Sequence, residues 1–249
     1  MLIDFHDKNS SIEFLKRLFK LNTFTKNNFI NDQGYLDSEL HISEKTFDEF
    51  KMQSLVTYHI TKCSHDDILR NGLLPISQVL DNDDSEISRF LASQNIKLDM
   101  RRKILSFSNE SIPLDCQYKS IKFGAKYEYI SLCNRVERDH RVDCFYTKPL
   151  TGNEYSVIHK TPEILFDIGK VTNTYSYFEQ AFYHSKLNLV TIEMKLSDAN
   201  INKKRMIDIL DDLLDFIFNN HYSISSSSVI STKTGVMINP DNILSIEEL

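Results

Sequence analysis

The sequence predicts an α+β domain with a mostly antiparallel sheet and packing helices, and three observations carry the prediction. Apolar runs of strand length recur between residues 54 and 246. From Ile121 to Leu196 they follow one another across short polar turns. One long amphipathic stretch, residues 203–220, carries Met206, Ile209, Leu210, Leu213, Leu214, Ile217 and Phe218 on a broad face that needs a sheet or a second helix to cover it.

Residues 10–20 read as a capped amphipathic helix with Ile12, Leu15, Leu18 and Phe19 inward. Polar, Asn-rich chain follows, with a short helix expected at 44–52, so residues 1–53 are predicted to form an N-terminal helical appendage to a domain over 54–249. Leu55 to Ile60 alternate and are β-branched or aromatic enough for a buried strand. Ser64 or Asp66 can cap the next helix, Asn71-Gly72 supplies the left-handed residue that ends it, and Pro75 bars its resumption. Residues 76–105 read as acidic and then helical, through Ile87, Phe90, Leu91, Ile96, Leu98, Met100 and Ile104, the kind of segment that forms a variable insertion. Strands are expected at 127–133, 143–147, 154–159, 163–168 and 189–194, with a helix at 175–185. Shorter strands at 228–231, 235–238 and 242–246 close the chain.

With 249 residues, 41% hydrophobic and 26% charged, the chain can bury a sizeable core. A net charge of −6 argues against a general nucleic-acid surface, because neutralising phosphates takes clustered cations. The dense basic runs, Arg101-Arg102-Lys103 and Lys203-Lys204-Arg205, read by default as solvated helix ends. No apolar run reaches the ~20 residues that span a bilayer, and the early acid in Met1–Asp7 is unlike a secretory leader. Cys63, Cys116, Cys133 and Cys144 show no tight pairing pattern, which fits reduced thiols in a cytoplasmic setting. Six glycines include no phosphate-cradling loop. Cys63-Ser64-His65 with Cys133, His140 and Cys144 offers soft and imidazole groups, but at no standard zinc spacing. No Gly-x-Ser-x-Gly elbow marks a serine nucleophile.

The densest chemistry lies in His59-Ile60-Thr61, followed by Asp67-Ile68-Leu69, Gly72-Leu73 and Pro75. This run resembles the opening motif of the ADP-ribosyltransferase superfamily, most closely the DNA-modifying ADP-ribosyltransferase toxins and the tRNA 2′-phosphotransferases. The resemblance implies a split, mostly antiparallel sheet and NAD as substrate. It implies that His59 holds the nicotinamide ribose, with Thr61 beside it. Tyr127–Cys133 is similar to the second core strand of that superfamily, which makes Tyr129 and Ser131 the implied nicotinamide contacts. Val236–Ile243 resembles the strand-then-Pro-x-x-Ile ending of many members.

One departure concerns the family's glutamate, which steadies the oxocarbenium-like sugar formed as the nicotinamide bond breaks. The matching region, Ser223–Ile230, contains no acid. Glu193, on the run Thr191–Met194, is the substitute, and Glu154 stands second. Two functions are therefore expected. One is an NAD-dependent ADP-ribosyltransferase of toxin, effector or phage-defence type acting on a macromolecular acceptor, nucleic acid or protein. The other is a non-catalytic binding, antitoxin or immunity module that keeps the fold without the acid. By default, a strand histidine is a packed ring satisfied by a backbone carbonyl, strand tyrosines are cross-strand packing residues, and Glu193 is the solvent face of an edge strand.

Overall fold

The computed structural model of the chain describes residues 1–115, 125–149, 160–220 and 228–249. It is α+β, with mostly antiparallel strand pairing. Two compact units divide it: Met1–His59, Asp143–Leu150 and Thr191–Lys233 form the first, and Ile60–Val142, Thr151–Val190 and Thr234–Leu249 the second.

In the first unit, β1 (Leu2–Ile3) runs parallel to the start of β2 (Ser54–Thr61), pairing Leu2 with Ser54 and Ile3 with Leu55. Further along β2, Tyr58 pairs antiparallel with Phe145 of β6 (Asp143–Phe145). On its other side β6 pairs with β8 (Val229–Ser231), Cys144 opposite Ile230. β7 (Asn188–Lys195) is the neighbour of β2 that completes the order β8-β6-β2-β7.

Three helices cover this sheet: α1 (Lys8–Phe19), α2 (Glu44–Lys51) and α9 (Lys203–Asn219). α9 forms where the 3.6-residue pattern predicts it, and Met206, Leu210, Leu213 and Leu214 are fully buried. Asp7 caps α1, accepting from the backbone N–H groups of Asn9 and Ser10, and Phe14 of α1 lies 6.2 Å from Phe50 of α2. The expectation of an appendage over 1–53 is corrected here. Phe5, Phe14, Leu15, Phe29 and Phe50 are all buried in the first unit, and the Ser38 N–H donates to Asp211 on α9 at 2.8 Å. Too many of this segment's aromatics are apolar anchors for it to stand apart.

The second unit opens with the end of β2 and α3 (His65–Asn71), followed by α4 (Ile76–Asp81) and α5 (Glu86–Ser93). Ser64 caps α3 through the Asp67 N–H, and Gly72 ends it at φ +71°. Pro75 does not bar a helix. It stands immediately before α4, at a helix start where its missing N–H is no loss. The helix expected through Ile96 and Ile104 is instead a meander of β3 (Ile96–Asp99), β4 (Ile104–Phe107) and β5 (Glu110–Pro113). Ser108 and Asn109, at φ +45° and +65°, turn β4 into β5, and the Ile96/Leu98 alternation carries the strand period.

The strands expected at 127–133 and 163–168 are helices, α6 (Lys126–Arg138) and α7 (Glu163–Val171). In each, the buried residues fall at helical intervals: Tyr129, Leu132, Cys133 and Val136 on one, Ile164, Leu165, Ile168 and Val171 on the other. A window of four turns outweighs the local alternation that suggested strands. α8 (Tyr175–Phe182) forms as expected and adds Phe178 and Phe182 to the core that α5, α6 and α7 share. Residues 235–238 form no strand; Ile238 makes one antiparallel bridge to Leu73, and β9 (Ile243–Glu248) follows, beside β7 in the sheet order. The strand expected at 154–159 lies outside the described residues. Among the described residues, no helix is long and apolar enough to cross a membrane.

Candidate functional site

His59 stands near the end of β2, after Leu55, Val56, Thr57 and Tyr58, all buried. Its ring is half-buried, and Nδ1 lies 2.8 Å from the backbone oxygen of Asp143 on β6. A carbonyl oxygen only accepts, so Nδ1 carries the proton and donates. Burial pushes the His59 pKa below its usual 6.5, against a smaller opposing pull from the Asp143 carbonyl and carboxylate. At neutral pH the ring is therefore uncharged, and Nε2 presents a lone pair that no described residue takes up. The default packing role explains Nδ1 and leaves Nε2 able to accept a hydrogen bond from a ligand hydroxyl.

Glu193 sits on β7, the strand beside β2. It is half-buried, and no hydrogen bond or ion pair joins it to His59. Alternation sharpens the point. Leu55 and Thr57, on the His59 face of β2, are fully buried, as are Ile192 and Met194 on β7. Glu193 and Thr191 occupy the other face of β7, which is less covered. Neighbouring strands bury the same face of a sheet, so Glu193 and His59 point to opposite sides.

The remaining implied contacts are used elsewhere. Thr61 Oγ1 accepts the Cys63 N–H at 3.2 Å, in the turn that leads to α3. Tyr129 and Ser131 stand on α6, not on a strand. The Tyr129 ring is buried and its hydroxyl donates to the Pro113 oxygen at 2.7 Å. Ser131 donates to Asp167 at 2.8 Å, and Arg135 donates to the same carboxylate oxygen at 2.7 Å. These are bonds that join α6 to β5 and to α7.

Lys62, the residue after Thr61, passed unnoticed in the sequence because a lone lysine after a strand carries no pattern. It is buried, and Nζ donates to the backbone oxygens of Phe182 and Ser185 at 3.0 and 3.1 Å. Those carbonyls lie at the end of α8, so the ammonium satisfies groups that the helix leaves unpaired. Lys62 also lines a polar cavity of about 390 Å³ with Cys63, His65, Glu86 and Asn188. Asn188 accepts from His65 Nε2 and donates to the Cys63 oxygen. Burial pushes the Cys63 thiol up to about 12, so it is no nucleophile at neutral pH. Among the described residues, no three His, Cys, Asp or Glu side chains are grouped to hold a metal ion.

Comparison with protein-family models, with curated proteins and with solved structures finds no match to this chain.

Proposed function

We propose that the chain binds NAD through His59 and transfers ADP-ribose to a macromolecular acceptor. The observation that carries this reading is the state of the His59 ring: neutral, held at Nδ1 by Asp143, with Nε2 left to accept a ribose hydroxyl. A fixed ring of that kind orients a sugar rather than moving a proton. The Ser64-capped turn and Gly72 that follow it fit the motif the sequence resembles. The acid that would steady the sugar cation is Glu193 or, on the sequence alone, Glu154.

A specific observation favours the second reading, a binding module without catalysis. Glu193 faces away from His59, and Tyr129 and Ser131 are committed to α6 contacts. The two readings separate in one assay. Nicotinamide release from NAD is followed for wild type, His59→Ala, Glu193→Gln and Glu154→Gln. Catalysis requires that one Gln variant lose roughly 10²-fold in rate. Equal background rates in all four proteins leave the binding module. Failure of NAD to bind the wild type sinks the NAD reading in both forms.

A further inference from the structure

β3 is the outer strand of the three-stranded meander, with β4 on one side only. Beside it lies a groove of about 770 Å³. All four residues of β3 line it, together with Leu91 and Ala92 of α5 and Leu80 at the end of α4. The fold thus sets an unpaired strand edge along one wall and a helix along the other, with apolar side chains between. An outer strand presents N–H and C=O groups that a second extended backbone can pair. A partner helix satisfies its own backbone and would leave that edge unpaired.

The charges narrow the occupant further. Asp81 and Asp83 stand exposed at the α4 end of the groove, and neither forms an ion pair with a described residue. Asp99, at the far end of β3, is held by the Arg102 backbone N–H at 2.8 Å. The uncompensated charge at the groove is therefore the Asp81–Asp83 pair, which calls for a cation.

We infer that this groove binds an extended peptide segment of a partner protein, which adds a strand to β3, lays an apolar side chain against Leu91 and Ala92, and reaches Asp81 and Asp83 with a lysine or arginine. Main-chain pairing gives such a site its affinity and alternate side chains give its selectivity. Four residues of β3 offer about 13 Å of edge, enough for a short motif. The inference does not depend on NAD binding at His59.

The test pans the full chain against random octapeptides, with Ala92→Arg as the counter-selection, and measures enriched peptides by fluorescence anisotropy. Ala92 is exposed on α5, so the substitution fills the groove without entering the core. Enriched sequences are expected to pair an apolar residue with Lys or Arg. Their Kd should rise at least ~10-fold with Ala92→Arg and with Asp81→Lys/Asp83→Lys, each checked for an unchanged melting temperature. Methylating alternate peptide amides should abolish binding in one register and leave the other unaffected, which a helical or side-chain-only ligand would not show. Three results would overturn the proposal: no enrichment over the Ala92→Arg control, binding indifferent to amide methylation, or a dimer of the chain itself that Ala92→Arg dissolves.

Discussion

Gly72 and Ile238 are in backbone contact so close that a β-carbon on residue 72 would fall 2.0 Å from the Ile238 carbonyl oxygen. That oxygen accepts the Leu73 N–H at 2.9 Å, and the Ile238 N–H returns a bond of 2.9 Å to Leu73. Gly72 itself holds φ +71° and ψ −154°, a region essentially reserved for glycine. The turn after α3 is thereby pinned to the segment that precedes β9, and the pinning requires the absence of a side chain.

Gly72→Ala is therefore expected to cost more than the ~1–3 kcal/mol of a strained backbone alone, because the Ile238 carbonyl has to move as well. Denaturant unfolding measures it. A loss within 0.5 kcal/mol, about what an ordinary surface substitution costs, would show that the turn is not held as described.

Arg135 ties Asp167 on α7 to α6, and also pairs with Asp139 and Glu163. Asp167 is 4% exposed, so removing the guanidinium strands a buried carboxylate. Arg135→Met should destabilise by about 3–5 kcal/mol, and Arg135→Met/Asp167→Leu should recover much of that loss. A double variant no better than the single would contradict the pairing.

The His59 pKa is held below 6.5 in the folded chain, so the unfolded chain binds the proton more tightly. The stability linked to this ring is complete above pH 6.5 and falls as pH drops from there towards the folded-state pKa. Wild type should lose more stability between pH 7.5 and 5.5 than His59→Gln does. Parallel curves for the two proteins would mean that the ring titrates as it does in the unfolded chain.

Tyr129→Phe removes a hydroxyl that bonds Pro113 and leaves that oxygen unsatisfied, for a cost of about 1–3 kcal/mol. Because the tyrosine is packed into the helical core, its NAD affinity should match that of wild type. A tenfold loss of NAD affinity with unchanged stability would return Tyr129 to the ligand site.

How much of this was legible follows the kind of signal each element carries. α9 and β2 were readable because their periodicity is long and unbroken, and the Ser64 cap and Gly72 stop because their chemistry is local. α6 misled because Tyr127, Tyr129 and Ser131 alternate like a strand, while the four-turn spacing from Tyr129 to Val136 that fixes the helix is spread more thinly. The β3–β5 meander was hidden because four-residue strands give little period to read. The Asp143 contact that fixes the His59 tautomer joins residues 84 apart, and no local pattern announces it. The same holds for the opposite facing of Glu193, since alternation within β7 acquires a direction only once β2 lies beside it.

The most direct measurement is calorimetric titration of NAD into wild type and His59→Ala at pH 7.5, with melting curves to confirm that both are folded. The account predicts a saturable exothermic site in wild type that weakens roughly tenfold when the ring is removed, the worth of about one hydrogen bond to a ligand hydroxyl. No binding to wild type, or equal binding to both proteins, would contradict it.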